Sequence, residues 1–185
     1  MNVATLTTER LVLRDWCEAD LAPFAALNAD PEVMRHFPAP LSRAESDALA
    51  ARVREALAAQ GWGLWAAERE GAFIGFIGLA RPRFEAHFTP CVEVGWRLAR
   101  AAWGQGLATE GARAALAFAR EALPGERLVS FTVPANVASR RVMEKLGLVR
   151  DLAGDFDHPA LPEGHPLRRH VLYRRPDGAG GAMRG

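Results

Sequence analysis

The stretch "AAWGQGLATEGARAAL", residues 101–116, decides how the rest of the chain is read. Alanine and leucine fill its second half as a helix requires, yet Gly104 and Gly106 stand at its front edge. A glycine inside a helix costs about 1 kcal/mol relative to alanine, so the pair has a reason other than helix formation. Just before it runs "CVEVGWRL" (91–98), where Val92, Val94 and Trp96 share one face and Glu93 takes the other, the period of a strand. The local order is therefore strand, two-glycine turn, helix. The N–H groups of a first helical turn have no internal partner and sit at the positive end of the dipole. With no side chain at 104 or 106 and only a methyl at Ala108, an anion can approach that backbone closely. Two glycines also simply permit a tight turn, and at this point both readings stand. A dinucleotide fingerprint needs Gly or Ala at 109, where the chain has Thr109, and the Gly-Lys-Ser/Thr of a Walker loop is absent.

Working outward, "TERLVLRDW" (8–16) alternates through Leu11 and Leu13 as a half-buried strand, and Asp15 with Glu18 has capping-box spacing ahead of a helix. Asp30–Pro31 opens a second helix; Ser42 with Glu45 opens a long one that Gly61 ends. Two strands follow within 63–80, turning at Glu70–Gly71, and 81–90 reads as a loop. After a helix over about 105–122 come a strand in "RLVSFTVP" (127–134), a helix in "NVASRRVMEKL" (136–146) with Gly147 as its cap, and a closing strand in "RHVLYRR" (169–175). The order β-α-α-α-β-β-β-α-β-α-β predicts an α+β domain of three layers. Its sheet is mostly antiparallel, with a central parallel βαβ unit joining 91–98 to 127–133 through a right-handed crossover. We expect one domain over 1–175 and a flexible tail over 176–185.

Composition narrows the classes. The chain has 185 residues, 49% of them hydrophobic, with a net charge of +1 and its 23 basic residues scattered. No basic stripe marks a nucleic-acid partner. Cys17 and Cys91 are too few and too far apart for a disulfide framework or a zinc site and read as buried residues of a reducing cytosol. No basic-then-apolar leader and no run of 18 apolar residues occurs, so a soluble cytoplasmic protein without a membrane partner is expected. The segment "DFDHPALPEGHPLRRH" (155–170), with His158, His165 and His170, imitates a metal site but fits no zinc spacing. A lid or surface loop without metal is expected there. Trp62, Trp65 and Trp96 read as core.

The blocks "WGQGLATE" (103–110), "GWRL" (95–98), "NVASRRVMEKLGL" (136–148) and "TERLVLRDW", in order and evenly spaced over about 7–175, resemble the GNAT superfamily of N-acetyltransferases, nearest to its RimJ/RimL-type branch. The resemblance implies a GNAT-like α/β/α fold and acetyl-CoA as co-substrate, with no metal. The family's loop pattern (Gln or Arg, two residues, Gly, one residue, Gly or Ala) falls on Trp103, Gly106 and Ala108, with Trp103 departing from it. By the same similarity the pyrophosphate of CoA rests on backbone N–H groups of Gly104, Gln105, Gly106, Leu107, Ala108 and Thr109. The backbone of Trp96, Arg97 and Leu98 pairs with the pantetheine arm as an added strand would, and Asn136 touches the arm from the other side.

The implied reaction is aminolysis of a thioester, which needs a base for the amine and an acid for the departing thiolate. Glu93 stands where this family often carries its glutamate and is the base candidate; on the residues alone it also suits a carboxylate paired with arginine on a solvated face. Met143 occupies the usual tyrosine position, and the single tyrosine is Tyr173 on the closing strand. Ser139 is the acid candidate by resemblance, with a helix-surface or capping serine as the plain alternative. Cys91 lacks an evident activating group, so direct attack in a ternary complex is expected. The runner-up is a non-catalytic acyl-CoA-binding module. The acceptor (protein N-terminus or small amine) and the choice between monomer and homodimer carry no motif. The first half of the fold and the 151–170 loop are expected to line the acceptor site.

Overall fold

The structure, a computed structural model, describes residues 2–176 and divides into two compact units. The expected tail lies, from 177 on, outside the described residues. The first unit comprises Met1–Ala80 and Val94–Pro124. Its strands are β1 (Leu6–Thr7), β2 (Val12–Arg14), β3 (Leu64–Arg69), β4 (Ala72–Ala80) and the greater part of β5 (Val92–Leu98), adjacent in that order. β1/β2, β2/β3 and β3/β4 are antiparallel. Its helices are α1 (Leu21–Ala29), α2 (Pro31–Met34), α3 (Arg43–Gln60) and α4 (Leu107–Ala122).

The local signals act largely as read. Glu70 and Gly71 both take left-handed backbone, φ 52° and 80°, the turn whose twist matches a hairpin. Ser42 and Glu45 form the reciprocal box at the head of α3, and Gly61 ends it at φ 76°. The first box is displaced. Cys17 N–H donates to the Asp20 carboxylate at 2.8 Å, while Asp15 accepts from Trp16 N–H. Arg14 grips Asp20 through two bonds of 2.8 and 2.9 Å, so the better-fixed carboxylate does the capping. Cys17, expected inside, is exposed for the same reason: it sits at the cap.

A register shift at Ala67/Glu68 opposite Ile74–Gly75 of β4 lets Phe73 and Phe76 face the same way. Both meet Phe24 of α1, at 6.2 and 6.1 Å between centroids. The opposite face of β4 carries Ile77, against which α4 packs through Gly111; a Cβ there would come within 2.5 Å of Ile77 Cδ1. Helices therefore cover both faces of this unit's sheet. The buried indoles are tied down as well, Trp16 Nε1–H to Leu64 O at 2.8 Å and Trp65 Nε1–H to Ala4 O at 2.7 Å.

The second unit comprises Arg81–Glu93 and Gly125–Gly185. The first residues of β5 run parallel to β6 (Leu128–Thr132), with Val92 opposite Leu128 and Glu93 opposite Val129, as the expected βαβ unit requires. β7 (Val149–Asp157) and β8 (Arg169–Arg174) complete the order β5-β6-β8-β7, and α5 (Val137–Lys145) lies between β6 and β7 in sequence. The segment after α5 corrects the sequence reading: its first part is β7, paired with β8, and β8 lies inside the sheet rather than closing it. β7, an edge strand, shows no apolar alternation. Val149 and Leu152 are exposed, and an irregularity between Asp151 and Phe156 breaks its register. The 81–90 loop carries its own anchors: Phe88 is buried with Cys91, Val129, Phe156 and Leu172, and Phe84 packs against them.

Candidate functional site

The residues singled out in the sequence divide between the units, 96–109 in the first and Glu93, Asn136 and Ser139 in the second. In the first, Gly104 and Gly106 take φ 70° and 79°, conformations that side chains disfavour. A Cβ at Gly104 would meet nothing within 4 Å, and one at Gly106 would meet only Arg10 Nη2 at 3.6 Å. Gly106 is the N-cap of α4, and no side chain caps that helix. The helix so begins with an open, uncapped turn at Leu107, Ala108 and Thr109 (Leu107 and Thr109 send their side chains inward), which leaves backbone as its outer surface.

Two arginines that the sequence reading passed over hold this turn. Arg10 donates through Nη1 to Gln105 O at 2.9 Å and pairs with Glu110 at 2.6 Å. Arg69 Nη1 donates to the Gln105 side-chain oxygen. Burial works against ionisation of Glu110, but bonds from Thr8 and Arg10 hold its carboxyl below the usual range. Its charge at the head of α4 is thereby matched by Arg10, which lies beside the glycines. No local pattern links Arg10 to a turn some 95 residues away; only the packing of α4 on the N-terminal strands does so.

On β5, the geometry separates neighbouring residues. A Cβ at Gly75 would lie 2.1 Å from Arg97 O, and Ala99 N–H donates to Ile74 O. The main-chain groups of Arg97 and Ala99 thus face β4, and strand alternation turns those of Trp96 and Leu98 to the other edge. Leu98 O is already taken there by Trp103 Nε1–H at 2.8 Å. Trp96 is half-buried rather than core, and the Trp103 ring is exposed.

In the second unit, Glu93 is half-buried between the fully buried Val92 and Val94. Its carboxylate takes no hydrogen bond among the described residues, and burial pushes it up to about 8. Burial, with the Glu93 charge adding to it, pushes the Cys91 thiol up to about 11, which leaves a poor nucleophile. Asn136 caps α5: Oδ1 accepts from Ser139 N–H at 3.2 Å and Nδ2–H donates to Thr132 Oγ1 at 3.0 Å. Ser139 is one turn into the helix and is not the cap. Met143 is buried, and so is Tyr173, whose hydroxyl donates to Glu144 and accepts from Arg140.

The histidines join an aromatic cluster. His158 and His170 lie 5.1 Å apart, with His158 4.6 Å from Phe84 and His170 5.5 Å from Phe156. Burial lowers both imidazoles below the ordinary value. Among the described residues no group of three or more His, Cys, Asp or Glu is arranged to hold a metal, and no helix is long and apolar enough to cross a membrane.

A family model described as an acetyltransferase (GNAT) domain matches residues 10–149. The uncharacterized protein YkkB of Bacillus subtilis (strain 168) is 32% identical over 80% of this chain and 87% of its own length. The FsC-acetyl coenzyme A-N(2)-transacetylase of Aspergillus fumigatus is 34% identical over 72% of this chain, which spans 60% of that enzyme's length. In three dimensions the chain is similar to the RimL ribosomal L7/L12 alpha-N-protein acetyltransferase in complex with coenzyme A, with a TM-score of 0.73 at 16% identity, covering 93% of this chain and 97% of that one.

Proposed function

Because this chain belongs to the GNAT acetyltransferase family, we propose that it moves the acetyl group of acetyl-CoA directly to a primary amine, with Glu93 as the base. The observation that carries this reading is the open glycine turn at the uncapped head of α4, with Arg10 beside it. Left-handed glycines and unpaired first-turn N–H groups at the positive end of the helix dipole fit a pyrophosphate. We assign its contacts to the backbone of Gly104 to Thr109. The pantetheine arm is assigned to the outward edge of β5 at the Trp96 main chain and the Leu98 N–H, since the Arg97 main chain faces β4 and Leu98 O is held by Trp103. Asn136 has one amide hydrogen beyond its bond to Thr132 to offer the arm.

Acetyl-CoA supplies the activated thioester. Glu93, at about 8, holds or releases a proton near neutral pH, the condition for accepting one from an ammonium group as it becomes a nucleophile. Ser139 remains the acid candidate, its hydroxyl one turn into α5, while Tyr173 is engaged with Glu144 and Arg140. The raised Cys91 thiol favours direct attack over an acyl-cysteine route.

The acceptor is proposed to be a protein N-terminus, as for RimL, or a small amine, as the name of the Aspergillus enzyme suggests. Free-thiol release from acetyl-CoA across a panel of N-terminal peptides and small amines tests the reading. Amine-dependent release supports it, and acetyl-CoA binding without turnover would identify a non-catalytic acyl-CoA-binding module.

A further inference from the structure

The side chain of Arg97 has no role in acetyl transfer as proposed, yet four elements of the first unit and the segment after α2 meet around it. Its Nη1 donates to Asn28 Oδ1 at 2.7 Å. Asn28, fully buried in α1, donates through Nδ2 to the equally buried Ser46 of α3 at 2.9 Å. That second bond fixes the amide's orientation and reserves its oxygen for Arg97. The Phe37 ring, which follows α2, faces the guanidinium carbon at 4.1 Å, and Phe76 of β4 lies at 5.5 Å. Nε is sealed from solvent and donates to nothing.

Arg150 and Arg168 also have a sealed Nε, but each is paired with an aspartate, at 2.7 and 3.7 Å. Arg14 has Asp20 and Glu68, and Arg10 has Glu110. Among the described residues Arg97 has no carboxylate, and burial pulls its guanidinium down to about 10. A buried cation held by one neutral oxygen and two aromatic faces is costly unless an anion completes it. The guanidinium donors left over lie in one plane, the arrangement that binds a carboxylate by two bonds, and a ligand reaching the sealed Nε–H would have to displace the side chains that cover it. Phe37, 38% exposed, is an apolar cover over the guanidinium.

We propose that Arg97, oriented by Asn28 and Ser46 and faced by Phe37, binds a carboxylate of the amine acceptor, so that this enzyme's acceptors are primary amines carrying a carboxylate beside an apolar group. The proposal rests on the acetyl-transfer reading for the word acceptor, but the anion site can be read without turnover.

In wild-type protein labelled with nitrogen-15, titration with benzoate should shift the Arg97 Nε–H resonance, and the neutral benzamide should leave it in place. In turnover, amino acids should be preferred over the matching amino-acid amides. Arg97→Gln should reduce that preference, the ratio of the two kcat/KM values, by at least about tenfold, the scale of a lost hydrogen bond to a charged group. Arg97→Lys, which keeps charge and much of the volume, should restore part of it. No shift with benzoate overturns the site whatever the activity. A shift with an unchanged preference in Arg97→Gln overturns its assignment to the acceptor. Acetyl-CoA binding without turnover of any amine would overturn the acetyl-transfer reading instead, and with it the acceptor assignment.

Discussion

At Glu93 one side chain ties stability to chemistry. Its carboxyl is raised from 4.5 to about 8 by burial, so the folded chain binds this proton more tightly than the unfolded chain does. Its contribution is fully present below about pH 4.5 and is lost as pH rises through about 8. Glu93→Gln, which cannot ionise, should therefore gain stability relative to the parent as pH goes from 5 to 9, read as a widening gap in urea midpoints. In turnover the same substitution should lower kcat by roughly 10² to 10⁴ at neutral pH, the usual worth of a general base. A parent kcat/KM with an inflection near pH 8 that disappears in the variant, whose profile then follows only the amine's own ionisation, would mark the carboxylate as the base; a parental kcat with chemistry rate-limiting would remove that role. Gly106 allows a cleaner separation. Gly106→Ala carries only the left-handed strain, about 1–2 kcal/mol, whereas Gly106→Glu adds a negative charge where the pyrophosphate is proposed. Calorimetry should find acetyl-CoA affinity more than tenfold weaker in the glutamate variant than in the alanine variant.

Elements show how far a local signal carries. α3 is specified by its own ends, Ser42 with Glu45 and Gly61, and needs nothing distant to be recognised. β7 has no such signal. Its outward Val149 and Leu152 and its broken register make it a strand only because β8 supplies a ladder. His158, just after β7, and His170 on β8 then pack against Phe84 and Phe156. Both imidazoles are lowered chiefly by burial, so the unfolded chain binds more protons in mild acid. Their contribution is present above the ordinary histidine value, about 6.5, and is lost as pH falls from there. His170→Phe should flatten the loss of stability between pH 7 and 5, and proton resonances of both rings should titrate below the value of an exposed histidine. A titration at the ordinary value would place the rings in solvent.

For the whole molecule, a ligand that binds only the folded chain stabilises it by mass action. Acetyl-CoA at one hundred times its dissociation constant should contribute about 2.7 kcal/mol, or roughly 5–10 °C in Tm for a chain of this size. Hydrogen exchange should slow at the amides of 104–109 in the parent and not in Gly106→Glu. Equal protection in both would move the anion site away from the turn.

By itself the sequence determined the strand–turn–helix of 91–122, the caps of α3, the hairpin at Glu70–Gly71 and the parallel pairing of β5 with β6. These follow from periodicity, capping and left-handed glycine, which act over a few residues. It also supplied the family, through blocks that keep their spacing. Only the tertiary structure decided what depends on distant partners. Arg10 braces Gln105 from across the chain, Arg97 turns its main chain to β4 and its side chain to Asn28, and Cys17 comes to the surface because Arg14 fixes Asp20 as the cap. The pKa of Glu93 belongs with these, because desolvation is a property of everything packed around a group and cannot be read from its neighbours in the chain.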